Sequence, residues 1–211
     1  MPSIPAGEAL QRLRDGNKRF YLDELSHGDL ANPARRNELV DGQNPFAIIL
    51  GCSDSRAPVE LVFDQGLGDL FVIRVAGNIV APSQIGSIEY AVAEFGVQLV
   101  VVLGHSNCGA IEATIDAIND KDHNYSRNLD FIVNQVRPSV EHLISSQSLE
   151  NRKELARKAV EANVSSSVQQ LQHDSGILEK LISQDKLYIV GAKYSLDTGV
   201  VDFFEGLPED I

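Results

Sequence analysis

The sequence has no tryptophan, one methionine and only two cysteines among 211 residues. It is also short of positive charge: 18 Lys and Arg stand against 30 Asp and Glu, a formal net charge of −12. That balance argues against non-specific binding to nucleic acid, which needs a cationic surface. It also disfavours anionic membranes. A small anionic substrate is not excluded, because a local site can differ from the mean field. Long apolar runs are missing as well. FAIIL and LVVVL are five residues each, far below the ~20 that cross a bilayer as a helix. The opening stretch MPSIPAGEALQRLRDGNKRF holds no apolar core of signal-peptide length, so the expected location is cytoplasmic. Two cysteines cannot build a disulfide framework, and in a reducing compartment they read as free thiols or metal ligands. Internal repeats, low-complexity tracts and a Gly-rich phosphate loop of the P-loop type are all absent.

What is present is an ordinary globular composition, 43% hydrophobic and 23% charged, long enough for one α/β domain with a substantial core. Residues 7–21 carry Ala9, Leu10, Leu13 and Phe20 on one helical stripe. Residues 22–44 are polar and turn-rich and read as a loop. Apolar runs at 46–50, 69–77 and 97–105 read as strands, and 84–96 and 108–118 as helices. Residues 127–182 read as mostly helical. The stretch 187–204 reads as a strand, a turn at Asp197–Gly199 and a second short strand. Nearly all-apolar strands separated by helices predict an α/β fold, a mainly parallel sheet flanked by helices on both faces. A helical N-terminal arm (1–44) precedes a single α/β core (45–211) that ends in an edge strand. Ligands of such sheets bind at the carboxyl ends of the strands.

Both cysteines fall at strand ends. GCSDSR at 51–56 follows the first apolar strand, and GHSNCGA at 104–110 follows the third. Cys52, His105 and Cys108 offer two thiolates and an imidazole, a soft donor set that suits zinc. Three protein ligands leave a fourth position open, the arrangement of a catalytic site. Two thiolates cancel the charge of the ion, so a nearby acceptor that orients the proton of a bound water is of value. Asp54 is placed for this, and Arg56 can pair with it, keep it ionised and keep it off the metal. Taken singly, each residue has an ordinary structural reading: a buried thiol, a hydrogen-bonded histidine, a loop ion pair. Their joint placement favours zinc catalysis. A phosphatase-type nucleophile fails on spacing, since Cys52 and Arg56 stand as Cys-x3-Arg rather than Cys-x5-Arg.

CSDSR followed by HSNCGA closely resembles the paired motifs of the beta-class carbonic anhydrases. ALQRLRDGNKRF, GDLFVIRVAGN and SIEYAV also look like segments of that family. The resemblance covers most of the chain and is weakest over 119–182. It implies a lyase that reversibly hydrates carbon dioxide to bicarbonate and a proton. It implies zinc on Cys52, His105 and Cys108, with Asp54 and Arg56 as the dyad that orients the reacting water. Asp54 is a ligand only in a closed state that some members adopt at low pH, and an open state is expected here. Gln43, Phe71 and Tyr90 match the pocket glutamine and aromatic wall of the plant-like subtype, here in a bacterial-type chain, and the amide of Gly109 is a further donor to substrate. Members with a non-catalytic bicarbonate site carry a tryptophan three positions before the first cysteine ligand. That position is Ile49 here, so no such inhibition is expected, although Arg74 and Tyr194 match its other two residues. The resemblance further implies a homodimer or homotetramer in which the N-terminal helices reach across to the neighbour and both chains supply pocket residues. No nucleic acid or membrane partner is implied, and no shuttle histidine is evident among His27, His123, His142 and His173. A hydrolase of carbon disulfide or carbonyl sulfide would share the zinc set. A zinc-stabilised binding protein would show a fourth cysteine or histidine closing the site, or lack Asp54 or Arg56, and neither sign is seen in the motifs.

Overall fold

The computed structural model describes residues 4–26, 31–120, 124–146 and 152–207. His27 and His123 lie outside the described residues. Five strands form one sheet: β1 (Ala47–Gly51), β2 (Leu70–Arg74), β3 (Leu99–His105), β4 (Tyr188–Tyr194) and β5 (Val201–Glu205). Their order is β2-β1-β3-β4-β5, with the first four parallel and β5 antiparallel to β4. This is the expected mostly parallel sheet with helices on both faces.

The two central strands are the most apolar. Every residue of β1 and β3 is buried, because each side chain meets a packed layer whichever way it points. Ile48 and Leu50 of β1, with Val100 and Val102 of β3, face α4 (Pro82–Phe95), α7 (Arg152–His173) and α8 (Gly176–Ile182). Ile49, Val101 and Leu103 face the opposite layer, α1 (Ala6–Tyr21) and α3 (Val59–Val62). Edge strand β2 is only partly buried. Helix α4 starts with proline in its first turn and stops at Gly96, whose φ of 65° only glycine adopts freely. α5 (Gly109–Asn119) and α6 (Arg127–Ser146) close the C-terminal edge of the sheet above β1 and β3.

Besides the short helix α3, which the sequence reading does not contain, the structure departs from that reading in three places. The stretch 22–44 contains a short helix, α2 (Pro33–Glu38), capped by the Asn32 side chain, which accepts from the Arg35 amide at 2.9 Å. It has no buried residue, so hydrophobic periodicity cannot reveal it. The second strand stops at Arg74 rather than 77. A turn over Ala76–Asn78 follows, with left-handed backbone at Gly77 (φ 68°) and Asn78 (φ 43°). The third departure concerns α1. Its stripe, expected to be covered by a neighbouring chain, is buried on its own sheet: Ala9, Leu10 and Leu13 are fully enclosed there.

A buried asparagine fastens that helix. Asn17 Nδ2 donates to the carbonyls of Val62 (3.1 Å) and Gly199 (2.8 Å), and its Oδ1 accepts from the Val201 amide (2.8 Å). One side chain thus ties α1 to α3 and to the β4–β5 turn. Asn17→Ala leaves three backbone groups without partners. The expected cost is about 3 kcal/mol, a fall in Tm of roughly 6–12 °C for a chain of this size, read by calorimetry, with metal content unchanged.

Candidate metal centre

β1 and β3 are neighbours, and the chain leaves them to opposite sides of the sheet: β2 pairs with β1 and β4 with β3. The crevice between their carboxyl ends is where an open α/β sheet exposes a ligand site. Cys52 follows the last residue of β1, and His105 is the last residue of β3. A tight turn through Asn107 (φ 54°) then delivers Cys108 to the N-cap of α5.

The Cys52 and Cys108 sulfurs are 4.0 Å apart. The donor atoms of Cys52, His105 and Cys108 all lie within 4.8 Å of one another, and all three residues are buried. His105 fixes its own tautomer. Nδ1 lies 2.9 Å from the Ser106 carbonyl, which can only accept, so the proton sits on Nδ1 and the lone pair on Nε2. Nε2 is buried without a hydrogen-bond partner. It faces Asp54 Oδ2 at 3.8 Å, too far to bond. A buried imidazole lone pair aimed at two buried sulfurs offers the donors that can hold a cation, and two sulfurs with one imidazole fit zinc.

The electrostatics agree. The Cys108 side chain, despite burial, draws the Cys52 thiol well below its usual range, helped by His105 and by the amides of Asp54 and Gly77. Cys108 is pushed upward in turn, first by Cys52 and then by burial. The two shifts run in opposite directions because a charge on one sulfur disfavours a second charge beside it. The amides of Ala110 and Ile111, in the first turn of α5, lie against the Cys108 sulfur and favour its charge, without a full capping hydrogen bond. At His105, burial opposes charge, but contact with Cys52 outweighs it and raises the imidazole above its ordinary value.

Asp54 sits beside this cluster with its carboxylate committed. Arg56 grips it with Nε on Oδ1 (3.0 Å) and Nη2 on Oδ2 (2.7 Å), and the Arg56 amide donates to Oδ1 as well (2.9 Å). These hydrogen bonds hold the carboxyl far below the usual carboxylate range. Arg56 Nη2 also donates to the Asn107 carbonyl at 3.1 Å, so the guanidinium joins the two ligand loops.

Several contributors are not visible in the sequence. Arg74 matches a bicarbonate-site position there. In the structure its Nε donates to the Cys52 carbonyl (2.8 Å) and its Nη2 to the Asp54 carbonyl (2.6 Å), so it clamps the ligand loop. The signal is register: Arg74 pairs with Gly51, next to Cys52, which only the sheet reveals. Tyr194 is buried in the layer beneath α1 and packs on Phe20. The amides of Gly77, Ala110 and Ile111 are further contributors that sequence reasoning misses. The two in α5 follow from placing Cys108 at a helix start, but Gly77 does not.

The pocket residues form a separate group. Gln43 is exposed and precedes β1, whereas Cys52 follows it. A five-residue strand separates them, roughly 16 Å at the usual rise. Phe71 pairs with Ile48, near the start of β1. Its ring lies 6.2 Å from that of Tyr90 and 6.1 Å from that of Phe95, and Tyr90 is 55% exposed. Within one chain, therefore, Gln43, Phe71 and Tyr90 do not line the metal centre, because strand starts and strand ends lie on opposite rims of the sheet. Gly109 opens α5 beside Cys108 and is exposed. No helix among the described residues is long and apolar enough to cross a membrane.

Residues 47–201 match the family model described as carbonic anhydrase. Carbonic anhydrase 2 of Mycobacterium tuberculosis is 39% identical over 203 residues, covering 94% of this chain and 93% of that protein. The carbonic anhydrase of Mycolicibacterium smegmatis is 38% identical over 207 residues, covering 96% and 95%. Among solved structures, a tetrameric beta-carbonic anhydrase from Sordaria macrospora superposes with a TM-score of 0.71 at 27% identity, over 82% of this chain and 87% of that one. A Coccomyxa beta-carbonic anhydrase bound to acetazolamide superposes at 0.72 with 24% identity, over 89% and 82%, a likeness of fold.

Proposed function

The chain belongs to the beta-carbonic anhydrase family, lyases that hydrate carbon dioxide, and from that premise we propose that Cys52, His105 and Cys108 hold a catalytic zinc ion while Asp54 and Arg56 manage the reacting water. The observation that carries this reading is the buried, unpartnered Nε2 of His105 aimed at two buried sulfurs, with a committed carboxylate 3.8 Å away. Zinc bound there supplies a Lewis acid that makes water a competent nucleophile near neutral pH.

The remaining work belongs to the protein. Asp54 is ionised and acceptor-only, so it takes a hydrogen bond from the water and sets which lone pair faces carbon dioxide. Arg56 engages both carboxylate oxygens and thereby withholds Asp54 from the metal, which favours the open state. The Ser106 carbonyl holds the imidazole tautomer, and Arg74 fixes the loop carrying Cys52 and Asp54. The amide of Gly109, at the open end of α5, is a donor for the developing carboxylate of the product. Gln43, Phe71 and Tyr90 reach a metal centre from a second copy of the chain, so the active unit is a homodimer or an assembly of dimers. The tetrameric Sordaria relative supports oligomerisation.

Stopped-flow hydration of carbon dioxide by the zinc-loaded chain, near pH 7 and again near pH 8.5, tests this reading. Fast turnover at both values is expected. Turnover at the higher value alone would replace the open state by a closed one with Asp54 on the metal. No turnover at either, with zinc bound, would overturn the assignment.

A further inference from the structure

Helix α7 lies in the part of the sequence where the family resemblance is weakest, yet it reaches the metal centre. Its buried stripe is Leu155, Ala159, Val160, Asn163, Val164, Ser167, Val168 and Leu171. Two of these positions are polar, and burial of a polar side chain in an apolar stripe is unfavourable unless it is hydrogen-bonded. Asn163 and Ser167 are one helical turn apart, so both project from the same face. Asn163 Nδ2 donates to the Gly77 carbonyl at 2.9 Å, and Ser167 Oγ donates to the Asn78 carbonyl at 3.2 Å. They hold consecutive carbonyls of the turn that follows β2.

That turn is unusual in itself. Gly77 and Asn78 are both left-handed; asparagine tolerates this backbone better than most residues, and two such residues in succession turn the chain sharply. The close approach of α7 is made possible at Gly104, where a Cβ would come within 2.6 Å of Val164 and 3.1 Å of Val160. Gly104 precedes His105, so α7 is seated directly behind one ligand. The turn it holds meets Cys52 and packs against the helix start that carries Cys108. The Gly77 amide lies against the Cys52 sulfur. A Cβ on Gly77 would stand 3.0 Å from that of Ala110, two residues past Cys108. The turn is therefore wedged between the first cysteine and the helix start that presents the second.

We propose that Asn163 and Ser167 are positioning residues for the metal ligands: through the Gly77 and Asn78 carbonyls they fix the turn that sets the spacing of Cys52 and Cys108. This rests on the zinc reading above. Such outer supports typically contribute 10–100-fold to metal affinity.

The test uses the full chain as wild type, Asn163→Leu, Ser167→Ala, Cys52→Ser and Asn17→Ala. Asn163→Leu keeps the branching and number of side-chain heavy atoms and removes the amide. Asn17→Ala is the control for lost stability, since Asn17 is buried and distant from the turn. Two readouts are taken: the zinc dissociation constant by competition with a chromophoric chelator, and the sulfur-to-cobalt charge-transfer band of the cobalt(II)-loaded protein. The expected result is an Asn163→Leu chain that binds zinc about 10–100-fold more weakly, with a displaced cobalt band. Ser167→Ala is expected to shift both readouts in the same direction by less. Asn17→Ala is expected to lose thermal stability with both readouts at wild-type values. Wild-type affinity and an unmoved band in both Asn163→Leu and Ser167→Ala would overturn the proposal while leaving the zinc site standing. Should Asn163→Leu fail to fold, Ser167→Ala decides alone. If the wild type shows no sulfur-to-cobalt band, or Cys52→Ser binds metal as well as the wild type, the zinc reading itself fails and the inference with it.

Discussion

The Cys52→Ser chain is expected to lose its bound zinc and, with it, carbon dioxide hydration. Serine has nearly the shape of cysteine, so the buried loop at the end of β1 keeps its packing and its Arg74 clamp. The chemistry differs. The Cys52 thiol is already held in its anionic range by the neighbouring sulfur and by backbone amides, whereas a serine hydroxyl keeps its proton near neutral pH and is a poor partner for a borderline-soft ion. Cys108 and His105 alone make a two-donor site. Emission spectroscopy should show metal falling from about one ion per chain to a trace. The rate should approach the uncatalysed one, a loss on the order of 10⁶-fold or more. Chelator-stripped wild type should behave alike and recover on adding zinc, while the variant should not. Near-stoichiometric zinc in the variant would remove Cys52 from the ligand set.

Asp54→Asn should produce the second largest effect, by a different route. The amide is isosteric, so zinc content should be unchanged and the loss confined to the rate. It turns one oxygen from an acceptor into a donor group that repels the Arg56 guanidinium. The water then loses its orienting acceptor, and kcat/KM should fall about 10²–10⁴-fold. The pH dependence of this loss follows from the direction of the Asp54 shift. A carboxylate held below its ordinary pKa is fully ionised above that range, and its contribution disappears only as pH falls through the depressed value. The loss on Asp54→Asn substitution should therefore be the same at pH 7 and pH 8.5. A loss that grows or shrinks across that interval would mean that Asp54 changes protonation or ligation there, contrary to an open site. The Arg56 side chain is 53% exposed, so the ion pair matters less for folding than for aiming the carboxylate.

Much of this protein is legible in its residues. Strands β1 and β3 announce themselves as continuous apolar runs because a doubly covered strand has no wet face to alternate with. The ligand motifs are legible because Cys52 and Asp54, and His105 and Cys108, are each local in sequence, set by a strand end and a short loop. Helix α2 is missed by reading 22–44 as a loop, although Asn32–Pro33 is a helix-start signal that needs no apolar stripe.

What the tertiary structure alone decided are the contacts between segments distant in the chain. Arg74 meets the Cys52 loop only because β2 pairs with β1 in one register, and a slip of one residue would turn it to the other face. The stripe of α1 looks the same whether it covers its own sheet or a neighbour's, and packing with the Asn17 hydrogen bonds settles it for its own. Gln43 and Phe71 stand by strand starts, on the rim of the sheet opposite Cys52 and His105, so which copy's centre they serve depends on packing between whole chains. Asn163 and Ser167 read as ordinary polar residues in a helix. Their burial against the carbonyls of two left-handed residues depends on the close approach at Gly104. Local spacing carries the ligands and the dyad, because their chemistry is fixed within a few residues. The supports around them are chosen by the packing of whole elements, which no short stretch of sequence contains.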